Sequence, residues 1–244
     1  MSSASQQKQL EATDSYAWLQ AMGFDFGSDA CVPSKYINEA SEHMLAVYGI
    51  RPPIVPVYFV ESGLGLFGGA CFLQEGDRSA VVLKVSFKDR EKWLWYHRKD
   101  LLTHELCHAG RSGCNSIKYE EVIAYQCASS RFLRFWGGIF HRHWEAYAVV
   151  LPAVLFALVS IFESLVLGTL FWRVIPLAMF LCLMVLYIGR HLYVMRQFGR
   201  AMIAASEMAP VGMSVIYQAG DEIVDRLARF GPELKTVKKG NASS

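Results

Sequence analysis

Two apolar runs constrain this chain more than any other feature: AYAVVLPAVLFALVSIF at 146–162 and VIPLAMFLCLMVLYIG at 174–189. With ESLVLGTLFWR between them they are too long for one bilayer crossing and long enough for two, at about 20 residues each. A charge at mid-bilayer costs roughly 2.5–3.5 kcal/mol on insertion scales. A tight hairpin turning near Gly168 avoids that cost, because Glu163 and Arg173 then lie at equal distance from the turn and can pair at one interface. Two buried helices of a soluble core are the alternative, but a domain this small cannot wrap both runs. Two transmembrane helices are therefore expected over 146–190, with the lipid bilayer as a partner.

Flanking charge sets the expected orientation. Arg131, Arg134 and Arg142 precede the first run and Arg190, Arg196 and Arg200 follow the second, whereas the turn carries only Arg173. The positive-inside rule then places both termini and the region before the hairpin in the cytoplasm. The N-terminal MSSASQQKQLEATDS is polar and does not read as a signal peptide. Apolar residues make up 53% of the chain, but the excess is concentrated in the hairpin. A net charge of +2, with no basic tract interleaved with aromatics, argues against nucleic acid as a partner. Six cysteines occur without CxxC spacing, so reduced thiols are expected and a zinc ribbon is not.

Outside the hairpin the pattern is α+β. Residues 1–30 are expected as a flexible N-terminal segment, 31–140 as a folded domain, and 191–244 as a helical C-terminal tail. Ser34 can cap a helix that Gly49 ends. Three strand-like runs follow, IVPVYFV, GLGLFGGACFL and SAVVLKVSF, and predict a small antiparallel sheet. Gly63, Gly65, Gly68 and Gly69 weaken the middle run as a strand and suggest a bulge or a close approach by another chain. REKWLWYHRKDLLTHELCHAG then reads as one long helix, and IKYEEVIAYQCASSRFLRFW resumes helical spacing after a glycine-containing loop.

The first of these helices carries HELCH. Residues four apart share a helix face, so His104 and His108 can ligate one ion, with Glu105 beside it as a base toward water. At this chain's own composition HExxH arises by chance in about one chain in a hundred, so the motif needs context. A catalytic zinc needs a third protein ligand, and the next helix offers Glu120 and Glu121.

With that second helix the sequence resembles the gluzincin metallopeptidases, in which HExxH lies on one helix and a glutamate on a following helix completes the site. Their second motif commonly ends in a small residue that lets the helices pack closely. Glu121-Val122-Ile123-Ala124 matches it, whereas counting from Glu120 ends on the bulky Ile123, so the resemblance favours Glu121 over Glu120 as third ligand. It covers roughly 34–135 and is similar to the compact minigluzincin core. The added spans are similar in style to HtpX-type and CaaX-processing membrane peptidases, which commonly carry Asp where Tyr125 stands here. The resemblance implies a Zn²⁺ cofactor held by His104, His108 and Glu121, and Glu105 as general base in hydrolysis of a peptide or protein substrate. It also implies strand addition of that substrate at a sheet edge, and a Tyr or His that stabilises the oxyanion, with Tyr119, Tyr125, His97, His141 and His143 as candidates. The competing expectation is a membrane-anchored interaction protein whose HExxH is accidental, or structural with Cys114 as a fourth ligand.

Overall fold

The computed structural model describes residues 15–65, 67–74, 78–167, 172, 174–209 and 211–241. Helix α1 (15–21) leads into α2 (Ser34–Tyr48), which buries Ala40, Met44 and Tyr48 on one face. Gly49 ends α2 in the left-handed region at φ 69°, its N–H returning to the Leu45 carbonyl, a conformation that glycine takes without steric cost. Ser34 is the first helical residue rather than the expected cap, and Pro33 precedes it.

Strands β1 (Val57–Val60), β2 (Gly69–Gln74) and β3 (Arg78–Lys84) form a sheet in the order β1-β3-β2. Strands β2 and β3 are antiparallel, Gly69 facing Leu83, but β1 and β3 are parallel, Val57 facing Val81. The sheet is therefore mixed, and the expectation of an antiparallel one is corrected. Strand β1 docks on the far edge of β3 instead of on β2. Because β2 reverses the chain between them, β1 and β3 run the same way. Period-two alternation specifies faces and not neighbours. The middle run is a strand only from Gly69; before it lies a loop with Gly63 and Gly65 at φ 101° and 57°.

Both faces of this sheet are apolar, so both need cover. Val57, Phe59, Val81 and Leu83 face the main core, while Tyr58, Val60, Ala80 and Val82 face a second cluster with Leu19, Phe24 and Ala30. Residues 15–30, assigned by the sequence reading to a flexible segment, are what covers that second face.

After α3 (Ser86–Asp89) comes a two-residue hairpin, β4 (Lys92–Trp93) and β5 (Tyr96–His97), turning through Leu94 at φ 53°. The long helix expected from Arg90 starts only at α4 (Arg98–Gly110), because the aromatic-rich KWLWYH takes the hairpin. Helix α4 is buried on nearly all sides, from Asp100 through Cys107 and at Ala109. The next expected helix is broken into α5 (Glu120–Ala124), a 3-10 turn (Tyr125–Cys127) and α6 (Arg131–Trp136).

Helix α7 (His143–Phe162) continues into a π-helical turn (Glu163–Leu167), and α8 spans Val174–Ser206. Both helices are long and apolar enough to cross a membrane, with mean hydropathy 2.3 and 1.8, and only 17% and 11% of those stretches are buried. Leu151, Leu158, Val185 and Leu186 stand exposed along them. The expected turn at Gly168 and the partner Arg173 lie outside the described residues. Arg190 of α8 grips Glu145 of α7 with both guanidinium nitrogens, at 2.7 and 2.6 Å.

At 33 residues α8 is about 50 Å long, well beyond the roughly 30 Å hydrocarbon core of a bilayer. Its distal half buries Val194, Phe198, Ala201, Ala204 and Ala205. Helices α9 (Gly212–Tyr217) and α10 (Asp221–Asn241) follow, and a Cβ at Gly231 would collide with Ala204, so α8 and α10 meet at a small-residue seam. Val194, Phe198, Ile216, Val224 and Leu227 share one core with Met44, Leu102 and Ile123. The segment expected as a tail is thus part of the domain.

Candidate metal centre

Helix α4 carries His104 and His108 one turn apart, with their Nε2 atoms 3.1 Å from one another. Glu121, in the first turn of α5, places Oε2 3.5 Å from His104 Nε2 and Oε1 3.5 Å from His108 Nε2. Ligands bound to tetrahedral zinc at about 2.0–2.1 Å lie about 3.3–3.4 Å apart, so these spacings suit one ion. Two imidazole nitrogens and a carboxylate are also a donor set that zinc accepts. These three residues are a group that could hold a metal ion, the histidine pair as its spacing suggests and Glu121 as the resemblance implies. Cys114 does not join them: its Sγ points at the Tyr217 and Gln218 carbonyls, 4.0 and 3.8 Å away.

Glu120 has a different task from Glu121. Its Oε1 lies 2.9 Å from His108 Nδ1 and its Oε2 accepts from Arg111 Nε at 2.8 Å. A carboxylate on the far nitrogen fixes the tautomer, turns the ring and strengthens Nε2 as a ligand. Burial opposes a proton on His108, but Glu121, Glu120 and Glu105 outweigh it and raise its pKa. The same field favours a cation between the rings. Burial first, and then His108, keep His104 neutral, which is the form that ligates.

Glu105 is 6% exposed, and the Cys71 N–H of β2 donates to its carboxylate. Burial, reinforced by Glu121 and opposed by His108, pushes its pKa up to about 7. A group with that pKa can take and return a proton near neutrality. Gly69 makes room for this arrangement: a Cβ there would lie 2.9 Å from Leu83, 3.1 Å from the Val82 carbonyl and 3.4 Å from Glu105 Cγ. The glycine pair thus marks a close approach between β2 and α4. Tyr125 is the oxyanion candidate brought to the centre, its ring 4.3 Å from that of His104 and its hydroxyl bonded to Tyr96. Tyr119 turns away to Asp225, His97 ends β5, His141 lies beside Glu145, and the side chain of His143 lies outside those described.

The centre is held from three directions that the sequence reading missed. Tyr48 of α2 donates to the Ile123 and Ala124 carbonyls at the end of α5, 2.7 and 3.0 Å away. Arg111 is 2% exposed, and besides Glu120 it donates to the carbonyls of Ile216, Tyr217 and Ala219. Asp221 begins α10 and accepts from Ser116 Oγ (2.7 Å) and from the N–H groups of Ile117 (2.8 Å), Lys118 (2.8 Å) and Tyr119 (3.2 Å). Asp225, one turn on, takes Lys118 Nζ and the Tyr119 hydroxyl, each at 2.6 Å. The C-terminal helix therefore grips the loop that delivers Glu120 and Glu121. The available signal was DEIVD, two carboxylates on one helix face, but nothing local names a partner about a hundred residues upstream. Comparison with protein-family models, with curated proteins and with solved structures finds no match for this chain.

Proposed function

We propose that this protein is a membrane-anchored zinc metallopeptidase. The reading is carried by one observation: the two Nε2 atoms of HELCH and the Glu121 carboxylate converge at zinc-ligand spacing, with Glu105 beside them on the same helix. When bound, the ion supplies Lewis acidity, polarising a carbonyl and bringing the ionisation of water toward neutral pH. Glu105 accepts a proton from the attacking water and returns it to the leaving amine, a role supported by its burial and its bond from Cys71. The Tyr125 ring against that of His104 supports Tyr125 as the residue that would donate to the developing oxyanion. Among the described residues no fourth side chain joins the three, which supports a catalytic reading over a closed structural site.

The exposed apolar faces of α7 and α8 support anchoring by a two-span hairpin. Exposed arginines at one end of that hairpin support the cytoplasmic side for the metal centre and both termini. The deciding experiment uses detergent-purified protein and a peptide library. The wild type is expected to carry one zinc per chain and to cleave, His104→Ala to lose the zinc, and Glu105→Gln to keep zinc without cleaving. Cleavage by Glu105→Gln at the wild-type rate refutes the catalytic reading. Protease-accessible tags at the two termini check the topology, and accessibility from opposite sides refutes the hairpin.

A further inference from the structure

Helix α6 lies between the metal centre and the apolar hairpin, and its wall against α8 is preformed. His191 Nε2 of α8 lies 2.5 Å from the Phe135 carbonyl, and the Trp136 ring stacks on that of His191 at 5.6 Å and 23°. Beside this junction is an open cleft of about 310 Å³, lined by Gln126, Arg131, Arg134, Phe135 and Met195. Phe135 and Met195 give it an apolar floor. Arg131 and Arg134 are exposed at its rim and make no ion pair among the described residues. Gln126 is committed elsewhere, donating to the Val122 carbonyl at 3.0 Å on the back of the segment that carries Glu121.

The height of the cleft follows from helix geometry. From Val174 at the start of α8 to Met195 is 21 residues, or about 32 Å at 1.5 Å per residue. The hydrocarbon core is about 30 Å thick, so a hairpin that spans it sets Met195 at the level of the headgroups. Other side chains agree with that level. Trp144 and Tyr147 stand exposed at the start of α7, Phe132 is 68% exposed between the two cleft arginines, and the half-buried Glu145–Arg190 pair just inside the boundary is neutralised. Two uncompensated guanidinium groups at headgroup depth match phosphate oxygens, and the apolar floor matches the glycerol and first methylenes beneath them. RNA or an acidic protein would find the charge but would leave the floor unfilled.

We propose that this cleft binds the phosphate of an anionic membrane lipid, with Arg131 and Arg134 as donors and Phe135 and Met195 beneath the headgroup. The assignment rests on the two-span reading of α7 and α8.

The test offers the full chain, purified in neutral detergent, equal amounts of phosphatidylglycerol and phosphatidylcholine with the same acyl chains, and counts bound lipids by native mass spectrometry. Each arginine near the surface contributes about fivefold, so the wild type is expected to prefer phosphatidylglycerol by about 25-fold. Arg131→Gln/Arg134→Gln should bring that ratio to about one while leaving the melting temperature unchanged. Arg200→Gln, at an exposed arginine about 8 Å further along α8 than Met195, should retain the preference. An unchanged ratio in the first variant, or equal loss in both, overturns the cleft as the site. Displacement of phosphatidylglycerol by millimolar inorganic phosphate, or tighter retention of an RNA oligomer or an acidic peptide than of the lipid, overturns the lipid as its occupant. Flotation with neutral phosphatidylcholine vesicles after alkaline washing separates the two levels. Wild-type protein that fails to float overturns the two-span reading together with this one, whereas protein that floats but shows no lipid preference overturns the cleft alone.

Discussion

Replacing Asp221 with alanine removes the acceptor on which the loop ahead of α5 is built. Four donors lose it at once, the Ser116 hydroxyl and the N–H groups of Ile117, Lys118 and Tyr119, at 2.7–3.2 Å. A hydrogen bond to a charged group contributes a net 1.5–3 kcal/mol or so. The four share one carboxylate, and water reaches the exposed Ile117 once it is gone, so the loss should be about 2–4 kcal/mol rather than four times the single value. The pH dependence has a definite sign. Burial raises the Asp221 pKa, but the backbone donors Ile117 and Lys118, with Ser116 and Tyr119, outweigh it and hold it below the ordinary aspartate value. A depressed folded pKa stabilises above the unfolded pKa, about 3.9, and the stabilisation is lost as pH falls through the folded value. The gap between wild type and Asp221→Ala, measured by denaturant titration in mild detergent, should be full at pH 7 and close below about pH 4. Because the same loop delivers Glu121, zinc affinity by chelator competition at pH 7 should fall about tenfold, in the range seen when outer-shell support is removed. Wild-type stability and zinc affinity in the variant, or a gap that stays constant down to pH 3, would refute the assigned role.

Glu120→Gln keeps the hydrogen-bonding shape on His108 but removes the charge, and should weaken zinc by about 10–100-fold in a chelator assay; it should also lower the protein's melting temperature, because the buried Arg111 loses its counter-charge. Arg111→Met strands the Glu120 carboxylate and the Ile216, Tyr217 and Ala219 carbonyls, and should cost about 3–5 kcal/mol in denaturant titration. Gly69→Val puts side-chain atoms into Leu83, the Val82 carbonyl and Glu105, and should abolish cleavage in the peptide assay even where zinc is retained. Tyr125→Phe should lower kcat by about 10²–10³, the usual scale for one oxyanion donor, at unchanged zinc content; a change confined to KM would remove Tyr125 from the mechanism.

Much of the site was legible because its parts are local. An i, i+4 spacing places His104 and His108 on one face whatever surrounds the helix, whereas Glu121 was favoured over Glu120 only by the resemblance to the gluzincins. The apolar runs at 146–162 and 174–189 were equally legible, since length and hydropathy alone decide whether a helix can cross a bilayer. Breaks inside a continuous helical pattern were less so: nothing in KWLWYH or YQCASS is a strong breaker, and packing decided that the first becomes a hairpin and the second a 3-10 turn.

By itself, then, the sequence pointed to His104 and His108 as a ligand pair with Glu105 beside them, through a spacing of a few residues, and to two helices long and apolar enough to cross a membrane. Tertiary structure alone decided that β1 runs parallel to β3, that residues 15–30 cover the second face of the sheet, and that Glu120 supports His108 while Glu121 faces both rings. It also tied the C-terminal helices to the loop and helix that carry the candidate metal ligands, through Arg111, Asp221 and Asp225. Those contacts join residues about a hundred positions apart, and a hydrogen-bonding group carries no mark of its distant partner until the chain has folded and burial obliges each polar atom to find one.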